Sequence, residues 1–181
     1  MKLRARDKAE AALTANTQNR TGFRIGGIFD IKCYDAQGNL KWTEVNHNLV
    51  TSEGLDDILD VYLSDGTQDA TEYIGLKGTG TPAAGDTLAS HASWSEFTDY
   101  TGDRQAWVEG GVSSQSIDNS GSPAAFPITG SGTVAGAFMT NASTGTSGIL
   151  FAVVNFSASR SVSNGDTINV TYTISASDDG I

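Results

Sequence analysis

The chain has 181 residues, with 11 Lys and Arg against 21 Asp and Glu, and a net charge of −10. An acidic body repels phosphate and forfeits the counterion-release term, which argues against a nucleic-acid-binding surface. The one cysteine, Cys33, excludes an internal disulfide, and no run approaches the roughly 18 apolar residues that a membrane-spanning helix needs.

The charge is unevenly spread. Residues 1–24 carry Lys2, Arg4, Arg6, Lys8, Arg20 and Arg24 against Asp7 and Glu10, a balance of +4, so the remainder holds −14. A basic arm on an acidic body calls for an anionic neighbour at one end. Those six cations are therefore the candidate partner-binding residues. Within the arm, "DKAEAALTA" (7–15) favours a short helix, but Leu13 is its only large apolar residue, so it is marginal without a partner to lie on.

From Ile28 the pattern changes, and the chain divides into an arm, 1–27, and a β domain, 28–181. "IFDIKCYDAQGNLKWTEV" alternates Phe29, Ile31 and Cys33 against Asp30, Lys32 and Tyr34, turns at "DAQGN", and returns through Leu40 and Trp42. That is a β-hairpin. "TSEGLDDILDVYL" is the one helix expected in the body, with Leu55, Ile58, Leu59 and Tyr62 on one face. Thr51 or Ser52 caps it, and its acidic residues sit near the positive end of the helix dipole, a structural use that needs no chemistry.

Seven short runs follow: "EYIGLK", "WSEFTDY", "QAWVEGGVS", "AAFPI", "TVAGAFMT", "ILFAVVNF" and "TINVTYTIS". Each reads as a strand. The last alternates Ile168, Val170, Tyr172 and Ile174 with polar residues, one face buried and one wet, as in an antiparallel sheet. "ILFAVVNF" is apolar throughout and reads as a central strand; the closing "SASDDGI" reads as fraying. Eight or nine strands with one helix predict a mainly β fold, an antiparallel, jelly-roll-like β-sandwich.

The constellations that could carry chemistry are weak. "GTGTPAAG" (78–85) lacks the Lys-Ser/Thr ending of a nucleotide loop, and Pro82 removes a backbone donor, so it reads as a connection between strands. His47 and His91 lie too far apart for a short-spaced zinc pair, and "DGTQD" (65–69) lacks the alternating ligands of a calcium loop. No metal or cofactor is expected. Glu96 with Asp99 or Asp103, near Trp94, Tyr100 and Trp107, would suit a glycosidase, but close acidic pairs arise by chance in so acidic a chain. Neither histidine sits in a nucleophile motif. No catalytic residue is assigned. Trp42, Trp94, Tyr100 and Trp107 could stack sugars but suit a core or an interface better.

Taken together, several of these pieces resemble a group of tailed-bacteriophage virion proteins. The pieces are "NLV-x-x-EGL" (Asn48 to Leu55), "G-x-G-TPAAGDT" (Gly78 to Thr87) and "W-x-E-x-T-x-Y" (Trp94 to Tyr100). A "GAF" strand (Gly136 to Phe138) and a closing "GDT" turn (Gly165 to Thr167) complete the set. The resemblance spans residues 28–176 and does not extend to the basic arm. It implies a non-enzymatic structural protein of the capsid decoration or cement type. On that expectation the chain would be made in the host bacterial cytoplasm and sit on the capsid exterior, bound to the major capsid protein and to further copies of itself, with no direct contact to nucleic acid or membrane. A tail or head-fibre component that binds a host receptor or glycan is the alternative.

Overall fold

The computed structural model describes residues 22–178. They form two antiparallel sheets packed face to face with one helix, the β-sandwich that the alternating patterns predict. β1 (Phe23–Tyr34) and β2 (Leu40–His47) make the expected hairpin, closed by Asp35, whose Oδ1 accepts from the amides of Gln37 and Asn39. This is an Asx-type turn. β3 (Leu49–Val50) leads into α1 (Ser52–Leu63), and Thr51 is its N-cap, its hydroxyl accepting from the Gly54 amide at 3.0 Å. Then come β4 (Tyr73–Gly80), β5 (Trp94–Phe97), β6 (Gln105–Ala106), β7 (Ser116–Asp118) and β8 (Ala124–Pro127). β9 (Gly132–Thr140), β10 (Leu150–Val162) and β11 (Thr167–Asp178) complete the chain order.

Sheet A has the order β2-β1-β11-β7, with β8 also on β11; sheet B has the order β3-β10-β9-β4-β5, with β6 also on β4. Between them lies the main core, where Phe29, Ile31, Val170, Tyr172 and Phe126 of sheet A meet Ile74, Leu76, Val134, Met139 and Val154 of sheet B. Phe29 stacks on Tyr172 with ring centroids 3.9 Å apart. The aromatics weighed as sugar platforms are structural: Trp94, Tyr100 and Trp107 are buried, and Trp42 is half-buried against Phe156. Among the described residues no helix is long and apolar enough to cross a membrane.

Four readings of the sequence need correction. β1 starts at Phe23, inside the segment assigned to the arm, because residues 23–27 pair with 174–178 of β11. The same ladder makes most of the supposedly fraying "SASDDGI" into strand. β10 is covered on both faces over residues 150–154 but is next to the end of its sheet, since only two-residue β3 lies beyond it. Its continuous apolar run reflects two covered faces, not a central position.

The helix is the fourth correction. α1 rests on the sandwich through Gly54, with Ile58 and Val61 half-buried, while Leu55, Leu59 and Tyr62 are exposed, Tyr62 at 85%. Gly54 decides this: a side chain there would run into the Phe151 backbone, so the bare glycine face makes the closest approach and turns the leucine face outward. Substituting Gly54→Ala should destabilise the fold by about 1–3 kcal/mol, the usual cost of overpacking. Thermal denaturation reads this as a lowered Tm; an unchanged Tm would mean that α1 does not seat on β10.

Candidate functional site

Sheet B carries a second apolar cluster on its outer face, formed by Leu88, Trp94, Phe138, Leu150 and Val153. The connection from Thr81 to Ser93, which holds most of the Gly-rich stretch, lies over it. Gly75 leaves the space that the Phe138 ring fills, and Gly136 stands against the Lys77 side chain. Asp86 fastens this cover at two points, accepting from the Ala83 amide and from Trp94 Nε1, each at 2.9 Å. Beneath it Lys77 is fully buried and donates to the carbonyls of Gly78 (2.9 Å) and Gly80 (2.7 Å). Burial lowers its pKa to about 8.

The start of α1 is tied to the same cover. Glu53 Oε2 accepts from the amides of Leu88 (3.1 Å) and Leu150 (2.7 Å), joining helix, cover and β10. The Ser52 amide donates to Ala84 O at 2.8 Å, and the Thr51 hydroxyl donates to Leu150 O. Between α1 and the cover runs an open groove of about 810 Å³, lined by Glu53, Asp56, Asp60, Gly85, Thr87 and Ile149.

The opposite side of α1 borders a second groove, of about 260 Å³, at the end of the sandwich. Trp107, Ile117 and Ile174 line it with Ile58, Val61 and Tyr62 of the helix, and Asp57, Asp69 and Glu72 bring carboxylates to it. Burial, then the nearby charges of Asp69, Asp57 and Glu109, push Glu72 up to about 7. Burial and the Asp69 carboxylate also raise Asp57. Acidic charge and apolar surface thus share one end of the molecule.

Elsewhere the carboxylates are structural. Glu96 binds Arg104 through both oxygens, with Nε to Oε1 at 3.0 Å and Nη2 to Oε2 at 2.8 Å. Arg104 also donates to the carbonyls of Ala142 and Gly145 and lies over the Phe138 ring. Both oxygens of the nominated glycosidase acid are therefore engaged, and Asp99 and Asp103 are exposed beside it. For Glu44, burial acts to raise its pKa. Hydrogen bonds from the Ser157 amide and hydroxyl, Asn46 and Arg160 outweigh it and hold the carboxyl at about 2. Asp166 pairs with Lys41 and accepts from the Ser163 amide, closing the turn between β10 and β11. His91 stacks on Trp94, and His47 is exposed on β2 of the other sheet, so the structure does not bring the histidines together. Among the described residues no group of His, Cys, Asp and Glu is arranged to hold a metal ion.

Of the candidate partner-binding cations, Arg24 is exposed at the start of β1, opposite Ser177. Lys2, Arg4, Arg6, Lys8 and Arg20 lie outside the described residues. Sequence reasoning missed Arg104 and Glu72. A lone Arg shortly after a Gly-containing turn gives no sign of burial, whereas Glu72 directly before the strand "YIGL" could have been flagged as a carboxylate at the rim of a core. No protein-family model matches the chain, and no curated protein matches it either.

Two outcomes follow from this geometry. Arg104→Ala should cost about 3–5 kcal/mol, because it leaves a partly buried carboxylate and two carbonyls without their donor; chemical denaturation measures it, and a cost under about 1 kcal/mol would class the pair with surface ion pairs. Glu72 binds its proton more tightly folded (about 7) than unfolded (4.5), so its ionisation removes stability as pH rises from 4.5 through 7. Glu72→Gln should therefore raise Tm at pH 8, with the gain shrinking as pH falls and vanishing below about pH 4.5. A gain that does not change with pH would contradict the assignment.

Proposed function

We propose that the chain is a non-enzymatic structural protein of a bacteriophage virion, a decoration or cement protein that binds the outside of the assembled head. The observation that carries this reading is where the five virion-like motifs fall. "NLV-x-x-EGL" is β3, the Thr51 cap and the seat of α1; "G-x-G-TPAAGDT" is the end of β4 and the cover over sheet B; "W-x-E-x-T-x-Y" supplies Trp94 and the Glu96 carboxylate that pairs with Arg104. "GAF" gives the glycine beside Lys77 and the Phe138 of the outer cluster, and "GDT" gives Asp166 with its turn. Motifs spent on holding a scaffold, with the carboxylates of Glu53, Asp86, Glu96 and Asp166 engaged in hydrogen bonds and ion pairs, suit a rigid binding body rather than a reaction centre.

In this reading the partners are the major capsid protein and further copies of the chain. Contacts come from the basic arm and from loops at the sandwich ends, which vary without disturbing a core. Repeated modest contacts on a symmetric shell add up to durable attachment. The arm's five basic residues before Gly22 give the attachment an electrostatic component.

The test is occupancy on undecorated capsids. Deleting residues 1–21, which leaves β1 whole, should lower occupancy, and binding of the intact chain should weaken as ionic strength rises through physiological values. Unchanged occupancy after deletion removes the arm from the mechanism. Density at the neck or tail tip in electron micrographs of the particle would overturn the capsid reading.

A further inference from the structure

We propose that the groove between α1 and the end of the sandwich is a docking surface for the chain's own basic N-terminal segment, residues 1–21. The groove opens onto apolar side chains of α1 that are exposed to solvent. Ile58, Val61, Trp107, Ile117 and Ile174 line it, and Tyr62 and Leu63 extend it outward at 85% and 72% exposure. Contiguous apolar surface of this kind on a water-exposed helix marks a contact.

Charge selects the occupant. Asp57, Asp69 and Glu72 stand in the groove, and Glu109 acts on Glu72 from beside it. No Lys or Arg occurs between Lys41 and Lys77, the stretch that contains all of α1 and β3. Burial raises Asp57 and Glu72 most, and the repulsion between neighbouring carboxylates that adds to it is relieved when a cation enters. Residues 1–21 are the complementary piece of this chain: five basic residues against Asp7 and Glu10, with Leu3, Leu13 and several alanines between them.

Connectivity places that segment close by. Ile174 of the groove pairs with Gly27 of β1, and the segment joins β1 through Gly22. Five residues separate the two points, about 17 Å at strand rise. A 21-residue segment can span up to about 70 Å, so reaching back to the groove requires no strain. A tethered segment also meets the groove at an effective concentration near millimolar, which favours it over the same segment of another copy. The inference concerns the free chain in solution and does not rest on the virion reading.

Zero-length carbodiimide coupling of the full-length protein tests it, since the reagent joins a lysine amine only to a carboxylate in contact with it. Peptide mass spectrometry on the species of single-chain mass should find Lys2 or Lys8 joined to Asp57, Asp69 or Glu72. Tyr62→Ser, at a position exposed enough to leave the fold intact, removes apolar contact without adding charge and should reduce those links severalfold, and so should high salt. Three results would overturn the proposal: no such links, links to distant carboxylates such as Asp99 or Asp118, or links found only in species of double mass, which would assign the groove to a second copy. None of these bears on capsid occupancy, so the two readings fail separately.

Discussion

Sheet B is apolar on both faces, and everything outside the sandwich core is arranged around covering the second one. One face meets sheet A in the main core; the other presents Phe138, Leu150 and Val153 outward. Leaving them in water would forgo about 1.5–3 kcal/mol for each large side chain. Leu88 of the connection between β4 and β5, and Trp94 at the start of β5, cover them. Where β4 ends and the chain turns out of the ladder its backbone needs partners, and Lys77 supplies them from below by donating to the carbonyls of Gly78 and Gly80. A buried ammonium is itself unfavourable, as its lowered pKa records. The apolar area it helps to cover offsets that cost.

The helix follows from the same arrangement. Glu53 faces the cover and β10 at once, and its two amide bonds set the position of the first turn of α1, while Gly54 sets its depth. Once those two residues are seated, the leucine side of the helix has nowhere to go but outward. The exposed face of α1 and the acidic groove beside it are consequences of how the cover is anchored. They are also the surface through which the molecule can recognise something else.

Much of this was legible in the sequence where a short-range rule applied. Alternation identified β1, β2 and β11, the "DAQGN" turn was readable, and the Thr51 cap came from its position before an apolar-periodic run. The failures share a cause: each depended on which of two plausible neighbours a residue meets. The periodicity of α1 is real, but a glycine's closer approach outweighed it. β3 and β7 are two- and three-residue strands defined only by their partners, so no window of sequence could show them. In "QAWVEGGVS" the strand is only Gln105 and Ala106, with a single further bridge at Ser113, because Trp107 leaves the strand to enter the core and donate to the Tyr172 carbonyl. The candidate site was half-visible: the charge asymmetry between arm and body could be counted, whereas the apolar groove with Glu72 at its edge forms only when residues 57 to 174 come together.

Native-state hydrogen exchange on the full-length protein bears most directly on the covering of sheet B. If Leu88, Trp94 and Glu53 hold the cover closed, the amides of Leu88 and Trp94 should exchange only through openings close in free energy to those that expose β9 and β10. Free exchange at Leu88 and Trp94, with β9 still protected, would show that the outer face is stable uncovered and would contradict the account.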